Sequence, residues 1–229
     1  MIELELLGKY GDRFWDGSLI SLKLVFLASI IGFAIALPMA LARSSKYRRF
    51  WMPAYAYIYF FRGTPLLIQL FILYYGLGQF EAITNSVLWN VLGDAEWCGL
   101  IGLTLNTAAY TAEILRGGIR AVPKGEIEAA RAYGMSWWLT QRRVVLPRAL
   151  RIAWPAYGNE VVLLLKGSAL VSTIAVWDLM GETRSIFSRT YALEIFVYAG
   201  IIYFLMTFIL TRVFSQVEKR INRYLGAYS

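Results

Sequence analysis

Long apolar stretches dominate this sequence and limit the folds that it can adopt. Five windows are each long and apolar enough to cross a bilayer as a helix, at about residues 18–41, 54–77, 98–115, 152–176 and 193–214. Of the 229 residues, 58% are hydrophobic and only 17% are charged, a balance that soluble domains rarely reach. Alternating ten-residue strands are not visible. The sequence therefore predicts an all-α membrane protein with five transmembrane helices.

The basic residues are distributed unevenly between the two sides of these predicted spans. Fifteen of the 23 Lys and Arg residues lie in the connection after the first span, the connection after the third span and the C-terminal tail, and a sixteenth, Arg212, lies at the end of the fifth span next to that tail. Because basic loops are retained on the cytoplasmic side of a membrane, the pattern predicts an external amino terminus and a cytoplasmic carboxyl terminus. The net charge of +8 is thereby assigned to cytoplasmic loops, and we expect no nucleic-acid partner.

The residue types that are missing exclude several classes of site. The chain has no His and a single Cys, Cys98, which argues against a histidine-ligated metal site, a Ser-His-Asp hydrolase and an intrachain disulfide. It has no G-x-x-x-x-G-K-[ST] phosphate loop, so we expect it to bind no cofactor itself and not to be an enzyme. No internal repeat or linker divides it, which predicts one membrane domain over residues 1–229.

The longest polar connection, about residues 123–147, has the pattern of a helical projection between two spans. Small and aromatic residues recur there at the i, i+3, i+4, i+7 and i+8 spacing of one helical face: Ala130, Tyr133, Gly134, Trp137 and Trp138. Gly134 suits a close backbone contact or a bend between two short helices, and Pro147 suits the start of the next helix. Such a projection fits both a location in the lipid interface and docking on a protein partner.

Polar side chains within the predicted spans are candidates for a transport function, because a charge in hydrocarbon must face a cavity or a partner. We predict that Glu160 lines the translocation cavity and recognises an amino acid together with four neighbours: Asn159, Thr64, Gln69 and Ser168. An ion pair of Glu160 with Arg62 or Lys166 is the alternative, and both interpretations stay open at this point. A second set marks structural or gating positions: Arg62, Gly63, Pro65, Glu113 and Lys166. Within it, the run from Arg62 to Pro65 predicts an interruption of the second span.

Part of the polar projection resembles the EAA loop of permease subunits in bacterial ATP-binding cassette (ABC) importers. The matching residues are Glu128, Ala129, Ala130, Gly134, Leu146 and Pro147, and Val144 stands where the consensus has isoleucine. The resemblance implies a type I ABC importer (MetI-like) permease fold. It also implies that this loop, about residues 123–147, couples the spans to a groove on a separate ATPase, which favours docking over a purely interfacial helix.

Further segments are similar to the polar amino-acid uptake permeases, namely residues 61–65 and residues 105–110 with Glu113. Residues 125–134 and 159–161 are most similar to the histidine, lysine, arginine and opine branch. The resemblance implies a multi-pass subunit of the bacterial cytoplasmic (inner) membrane that forms the path for a polar, basic amino acid or amino-acid derivative. The implied partners are membrane lipid, a second permease subunit, two ATPase subunits that bind ATP and Mg, and a periplasmic solute-binding protein.

Two other classes of protein compete with this interpretation. An ion-coupled secondary amino-acid transporter would explain charges within the membrane without an ATPase. It predicts internal repeats and broken helices in both halves of the chain, which the sequence does not show. A membrane-embedded enzyme ranks last, because histidine and a clustered carboxylate pair are both missing.

Overall fold

The computed structural model of the chain describes residues 4–223, and this range forms eleven α-helices with short 3-10 and π turns and no strand. The helices are α1 Leu4–Arg43, α2 Arg48–Gly63, α3 Leu66–Phe71, α4 Glu81–Thr84, α5 Trp89–Leu92, α6 Ala95–Arg120, α7 Lys124–Ala132, α8 Trp137–Thr140, α9 Leu146–Ser168, α10 Leu179–Thr190 and α11 Glu194–Ile221. The π turns are Ile72–Gly76 and Gln141–Val145, and the 3-10 turns are Leu77–Gln79 and Ala169–Ile174. The predicted all-α class is confirmed for the described range.

The central helix of the bundle is α6, which packs against α1, α2 and α9. Half of its 26 residues are buried, and many of these are small or carry a hydroxyl group. Two glycines mark the closest approaches of its neighbours. A Cβ on Gly32 of α1 would lie 2.7 Å from the Thr107 methyl group, and a Cβ on Gly118 would lie 2.5 Å from the Ala149 carbonyl oxygen of α9. Small residues therefore set the distances between these helices, as in many membrane bundles.

Two helices are long and apolar enough to cross a membrane on their own, within the described residues: Gly8–Arg43 and Glu194–Ile221. Two bent pairs meet the same criterion when joined, namely Arg48–Gly63 with Leu66–Gln79 and Trp137–Ile174 with Leu179–Thr190. The number of candidate spans is thus two, or up to four if each pair is one span. The predicted third span, residues 98–115, lies in α6, which is not among them. The number five stays a prediction.

The second predicted span, residues 54–77, is not one continuous helix. The chain bends by 103° between α2 and α3. Thr64 and Pro65 have extended backbone conformations at the bend. Proline has no N–H and disfavours a helical conformation of the residue before it, so α2 cannot continue through this point. The interruption predicted at residues 62–65 is therefore present, but it separates two helices and does not merely kink one.

Candidate functional site

The middle of α6 contacts two of the predicted polar residues, Gln69 and Glu160. Asn106 Nδ2 donates a hydrogen bond of 3.0 Å to Gln69 Oε1 of α3. Its neighbour Thr107 donates one of 3.1 Å from Oγ1 to Glu160 Oε1 of α9. Because successive helical residues are rotated by about 100°, these two bonds leave α6 in different directions. Gln69 and Glu160 consequently contact different sides of the central helix.

The break between α2 and α3 is held by Gln69, whose side chain is buried. Its amide Nε2 donates to the Phe61 carbonyl at 2.9 Å and to Thr64 Oγ1 at 2.8 Å. A broken helix leaves carbonyl groups without their usual backbone donors, and in an apolar environment such groups are costly. Gln69 and Thr64 therefore satisfy the backbone at the bend, in addition to any role toward a ligand.

Glu160 is 7% exposed and contacts α6 through Thr107. No Lys or Arg nitrogen in the described part of the chain lies within 4.0 Å of its carboxylate. Neither proposed partner contacts it: the Arg62 guanidinium is 5.1 Å from the centre of the Tyr110 ring and acts on the carboxylate only at longer range, and Lys166 is exposed. The alternative ion pair of Glu160 is therefore wrong for this conformation, and the carboxylate keeps one side-chain donor, Thr107.

The other predicted cavity residues do not surround Glu160. Asn159 is exposed and its side chain leaves α9 about 100° away from that of Glu160. Ser168 is buried about two turns further along α9 and donates to the Leu165 carbonyl at 2.8 Å. Thr64 and Gln69 lie at the α2–α3 bend. The five predicted cavity residues therefore lie along α9 and at the α2–α3 bend, and they do not line a common cavity.

Glu113 of α6 forms the centre of a basic cluster. Arg116 Nε donates to both of its carboxylate oxygens at 2.9 Å, and Arg43 Nε from α1 lies 3.8 Å from Oε1. The side chains of all three residues are about one fifth exposed. A cavity of about 310 Å³ beside them is also lined by Arg62 and Gly63. Three of the predicted gating residues, Arg62, Gly63 and Glu113, therefore share one electropositive cavity.

The polar projection consists of two short helices joined by a turn at Gly134, which has a φ of +76°. The Met135 N–H donates to the Ala130 carbonyl at 3.1 Å across this turn. Such a hydrogen bond is typical of a helix C-terminus that is followed by a residue in the left-handed conformation. Nothing lies within 4 Å of a Cβ built on Gly134. The glycine is thus required by the backbone conformation, and the bend predicted there is present, whereas the suggested close backbone contact is not.

The single helical face predicted for the projection is wrong, because α7 ends at Ala132 before most of the stripe. Ala130 is buried, whereas Tyr133 is 88% exposed and Trp137 and Trp138 are 64% and 62% exposed. The local turn at Gly134 overrides the helical periodicity and directs the aromatic side chains outward. All three rings are therefore largely exposed.

Some of the residues that resemble the EAA loop are exposed on the projection, and the others are buried or belong to α9. Glu128, Ala129 and Gly134 are exposed, and Ala130 is buried. Leu146 and Pro147 form the first turn of α9, as predicted for the proline. Arg148 of that turn lies 3.5 Å from Glu126 of α7, so an ion pair joins the projection directly to α9.

Several residues that form hydrogen bonds or ion pairs between the helices of the bundle were not predicted from the sequence. Thr107, Asn106 and Arg43 were not predicted, because their partners are more than 35 residues away in the chain. Asp178 was also missed. It is fully buried, its Oδ1 accepts a hydrogen bond of 2.9 Å from the Gly181 N–H at the start of α10, and Tyr203 donates to Oδ2 at 3.3 Å. An Asp immediately before a helix is a recognisable capping signal, which could have identified this one.

Comparison with known proteins identifies the family to which this bundle belongs. Residues 25–223 match the family described as binding-protein-dependent transport system inner membrane component. The chain belongs to this family. The transport component is 46% identical to the nopaline transport system permease protein NocM of Agrobacterium fabrum, over 90% of this chain and 87% of that protein. It is 48% identical to the octopine permease protein OccM of Rhizobium meliloti, over 87% and 82% of the two chains.

A third relative of the transport component is the histidine/lysine/arginine/ornithine permease protein HisM of Escherichia coli, which is 42% identical over 94% of this chain and 91% of that protein. Among solved structures, an amino acid ABC transporter with histidines aligns with a TM-score of 0.85 and 38% identity, over 96% of this chain and 99% of that chain. The MetNI methionine ABC transporter aligns with a TM-score of 0.80 at 18% identity, over 93% and 98%, and shows the same fold. The predicted permease family and MetI-like fold are confirmed.

Proposed function

We propose that this chain is the transmembrane permease subunit of an ATP-driven importer that carries a polar, basic amino acid or an amino-acid derivative such as an opine. The observation that carries the proposal is the exposed projection of α7, the Gly134 turn and α8, which bears the EAA-loop residues on a chain of this transport family. The substrates named for three relatives, nopaline, octopine and basic amino acids, support the substrate class.

The proposed topology has five spans in the bacterial inner membrane, an external amino terminus and a cytoplasmic carboxyl terminus, with α6 as the third span. Its support is the arrangement of the two most basic connections. Ser44 and Lys46 from the α1–α2 connection line the same cavity as Arg131 and Trp137 from the projection. These two connections therefore lie at one end of the bundle, where the positive-inside rule assigns the cytoplasm.

In the proposed mechanism, the projection docks on a separate ATPase subunit, which binds ATP and Mg. The exposed Glu128, Ala129 and Gly134 face the ATPase, while Ala130, Leu146 and Pro147 belong to the anchored side. Because the Glu126–Arg148 ion pair links α7 to α9, a displacement of α7 reaches the helix that carries Glu160. ATP binding would then shift the bundle between two states, inward and outward, that the docked ATPase stabilises to different degrees.

The proposed role of Glu160 is to meet the cationic group of the substrate, with Asn159, Thr64, Gln69 and Ser168 along the path. A buried carboxylate without a cationic partner is costly, and a positively charged ligand removes that cost. Glu160 has this character, because its one side-chain donor is a neutral hydroxyl. A second permease subunit, identical or homologous, completes the path, and a periplasmic solute-binding protein delivers the substrate.

Co-purification of the tagged chain with its co-expressed partner subunits tests this function. Glu128→Lys and Gly134→Trp change exposed positions of the projection and are expected to reduce the recovered ATPase at least about tenfold, as the loss of a central interface contact does. Glu81→Lys is the matched control, since Glu81 is exposed on α4, outside the projection. Equal recovery of ATPase with all three variants would refute docking through this projection, and full uptake without any ATPase would establish the ion-coupled alternative.

A further inference from the structure

A cavity of about 780 Å³ lies between the α1–α2 connection and the projection, and neither Glu160 nor Glu113 lines it. We call it the basic cavity, and its wall has two parts. The apolar part consists of Leu41, Ala42, Tyr47, Phe50, Ile119 and Trp137. The polar part consists of Ser44, Ser45, Lys46, Arg131 and Gln141. The site is therefore amphipathic and separate from the candidate substrate path.

The charge of the basic cavity is not neutralised by this chain. Lys46 and Arg131 lie on its wall, none of its described lining residues is acidic, and neither cation has an ion-pair partner within 4.0 Å in the described range. Arg48 and Arg49 follow in the first turn of α2, which contains no acidic residue. Two unpaired cations from different segments on one concave wall attract an anion.

The apolar part of the wall indicates what kind of anion fits. Tyr47, Phe50 and Trp137 are 65%, 48% and 64% exposed, and a small soluble anion would leave these rings in water. The cavity lies where the apolar span of α1 ends, since that span extends to Arg43. Aromatic rings and basic residues at this level are typical of the membrane interface, and basic pockets between membrane helices bind anionic headgroups.

We infer that the basic cavity binds an anionic phospholipid. Lys46 and Arg131 hold the phosphate of its headgroup, and Tyr47, Phe50 and Trp137 contact the glycerol and the first part of the acyl chains. Because Lys46 precedes α2 and Arg131 belongs to α7, the bound lipid connects the α1–α2 connection to the projection. The inference requires that the chain lie in a membrane, which its family shows, and it does not depend on docking to an ATPase.

Native mass spectrometry of the complete transporter, released from nanodiscs of phosphatidylethanolamine and phosphatidylglycerol, tests the inference. The wild type is expected to retain phosphatidylglycerol and not phosphatidylethanolamine. Lys46→Gln with Arg131→Gln is expected to reduce that retention at least about tenfold, since each basic residue near an anionic headgroup contributes several-fold. Lys219→Gln with Arg220→Gln is the control of equal charge change, on exposed residues of α11, and should retain the lipid.

A second variant separates occupancy of the cavity from net charge. Ala42→Trp adds a large side chain to the apolar part of the wall without changing any charge, and this variant is expected to lose the lipid as well. Excess inorganic phosphate should leave the lipid bound, because phosphate makes no contact with the aromatic rings. Displacement by phosphate, equal retention by the Lys46/Arg131 variant and the wild type, or equal retention of the two lipids would each overturn the inference. Equal loss in the Lys219/Arg220 control would do so as well.

Discussion

Thr107 of α6 donates a hydrogen bond to the carboxylate of Glu160 in α9, and Gly32 of α1 packs against the same threonine. Three helices, α1, α6 and α9, consequently meet at Thr107. The acid has no cationic partner within 4.0 Å in the described part of the chain, so its local environment favours the arrival of a cation. The packing of α1, α6 and α9 therefore positions the carboxylate that is proposed to recognise the substrate.

Glu160→Gln removes the charge and keeps the shape of the side chain. We expect kcat/KM for uptake of a cationic amino acid to fall at least about tenfold, because a buried charge pair with the substrate is lost. Uptake kinetics of arginine and of a neutral amino acid, measured with the same complex, check this prediction. Unchanged kinetics for arginine, with normal ATPase recovery, would exclude the recognition role.

Thr107→Val removes the hydroxyl group that donates to Glu160. We expect it to lower the free energy of unfolding by about 1–3 kcal/mol, because the buried carboxylate loses its side-chain donor. Thr104→Val is the matched control on the same helix: the Thr104 hydroxyl is buried without a hydrogen-bond partner among the described residues, so its loss should cost little. Thermal unfolding of the purified variants measures both, and an equal loss of stability would contradict the assigned role of the Thr107 bond.

Gly118→Ala and Gly117→Ala should change stability in opposite directions. A Cβ at Gly118 would lie 2.5 Å from the Ala149 carbonyl oxygen, so the helices must move apart at a cost of about 1–3 kcal/mol. At Gly117 nothing lies within 4 Å, and alanine should gain up to about 1 kcal/mol from its helix propensity. Unfolding midpoints of the two variants provide the comparison. A stabilising Gly118→Ala would show that α6 and α9 do not approach as closely as described.

Glu113→Gln should destabilise the bundle, because Arg43 and Arg116 would lose the carboxylate between them while only about one fifth exposed. We expect a loss of about 2 kcal/mol, below the range for fully buried pairs. Glu96→Gln removes the partner of Lys23, and both of those side chains are well exposed, so its loss should stay under about 1 kcal/mol. Denaturation of the two variants in the same detergent tests the difference, and equal effects would contradict the structural role of Glu113.

Hydropathy and local backbone signals predicted much of the fold. The first and fifth apolar windows lie almost entirely in α1 and α11, because each is a long run of apolar residues. The fourth window is only partly helical as predicted, since α9 ends at Ser168 and the 3-10 turn Ala169–Ile174 follows. Pro65 predicted the break after α2, since proline acts on its immediate neighbours. In contrast, α6 is the most enclosed helix and yet carries threonines and an asparagine, so its composition alone does not reveal its central position.

The candidate site was less predictable, because it depends on contacts between distant segments. Glu160 was recognised as an unusual intramembrane acid, but its bond to Thr107 follows only from how α6 and α9 pack. The aromatic stripe of the projection followed helical spacing, and one left-handed residue, Gly134, was enough to disrupt it. Sequence patterns identified the residue types here, and tertiary packing determined their partners.

Uptake by the complete transporter in proteoliposomes distinguishes an ATP-driven importer from an ion-coupled carrier. The vesicles would contain this chain and its partner subunits, with ATP supplied to the ATPase side, solute-binding protein on the other side and a labelled basic amino acid or opine. Uptake is expected to require ATP and to persist when ionophores collapse every ion gradient. Uptake that proceeds without ATP and stops when an ion gradient is collapsed would contradict the proposed ATP-driven function.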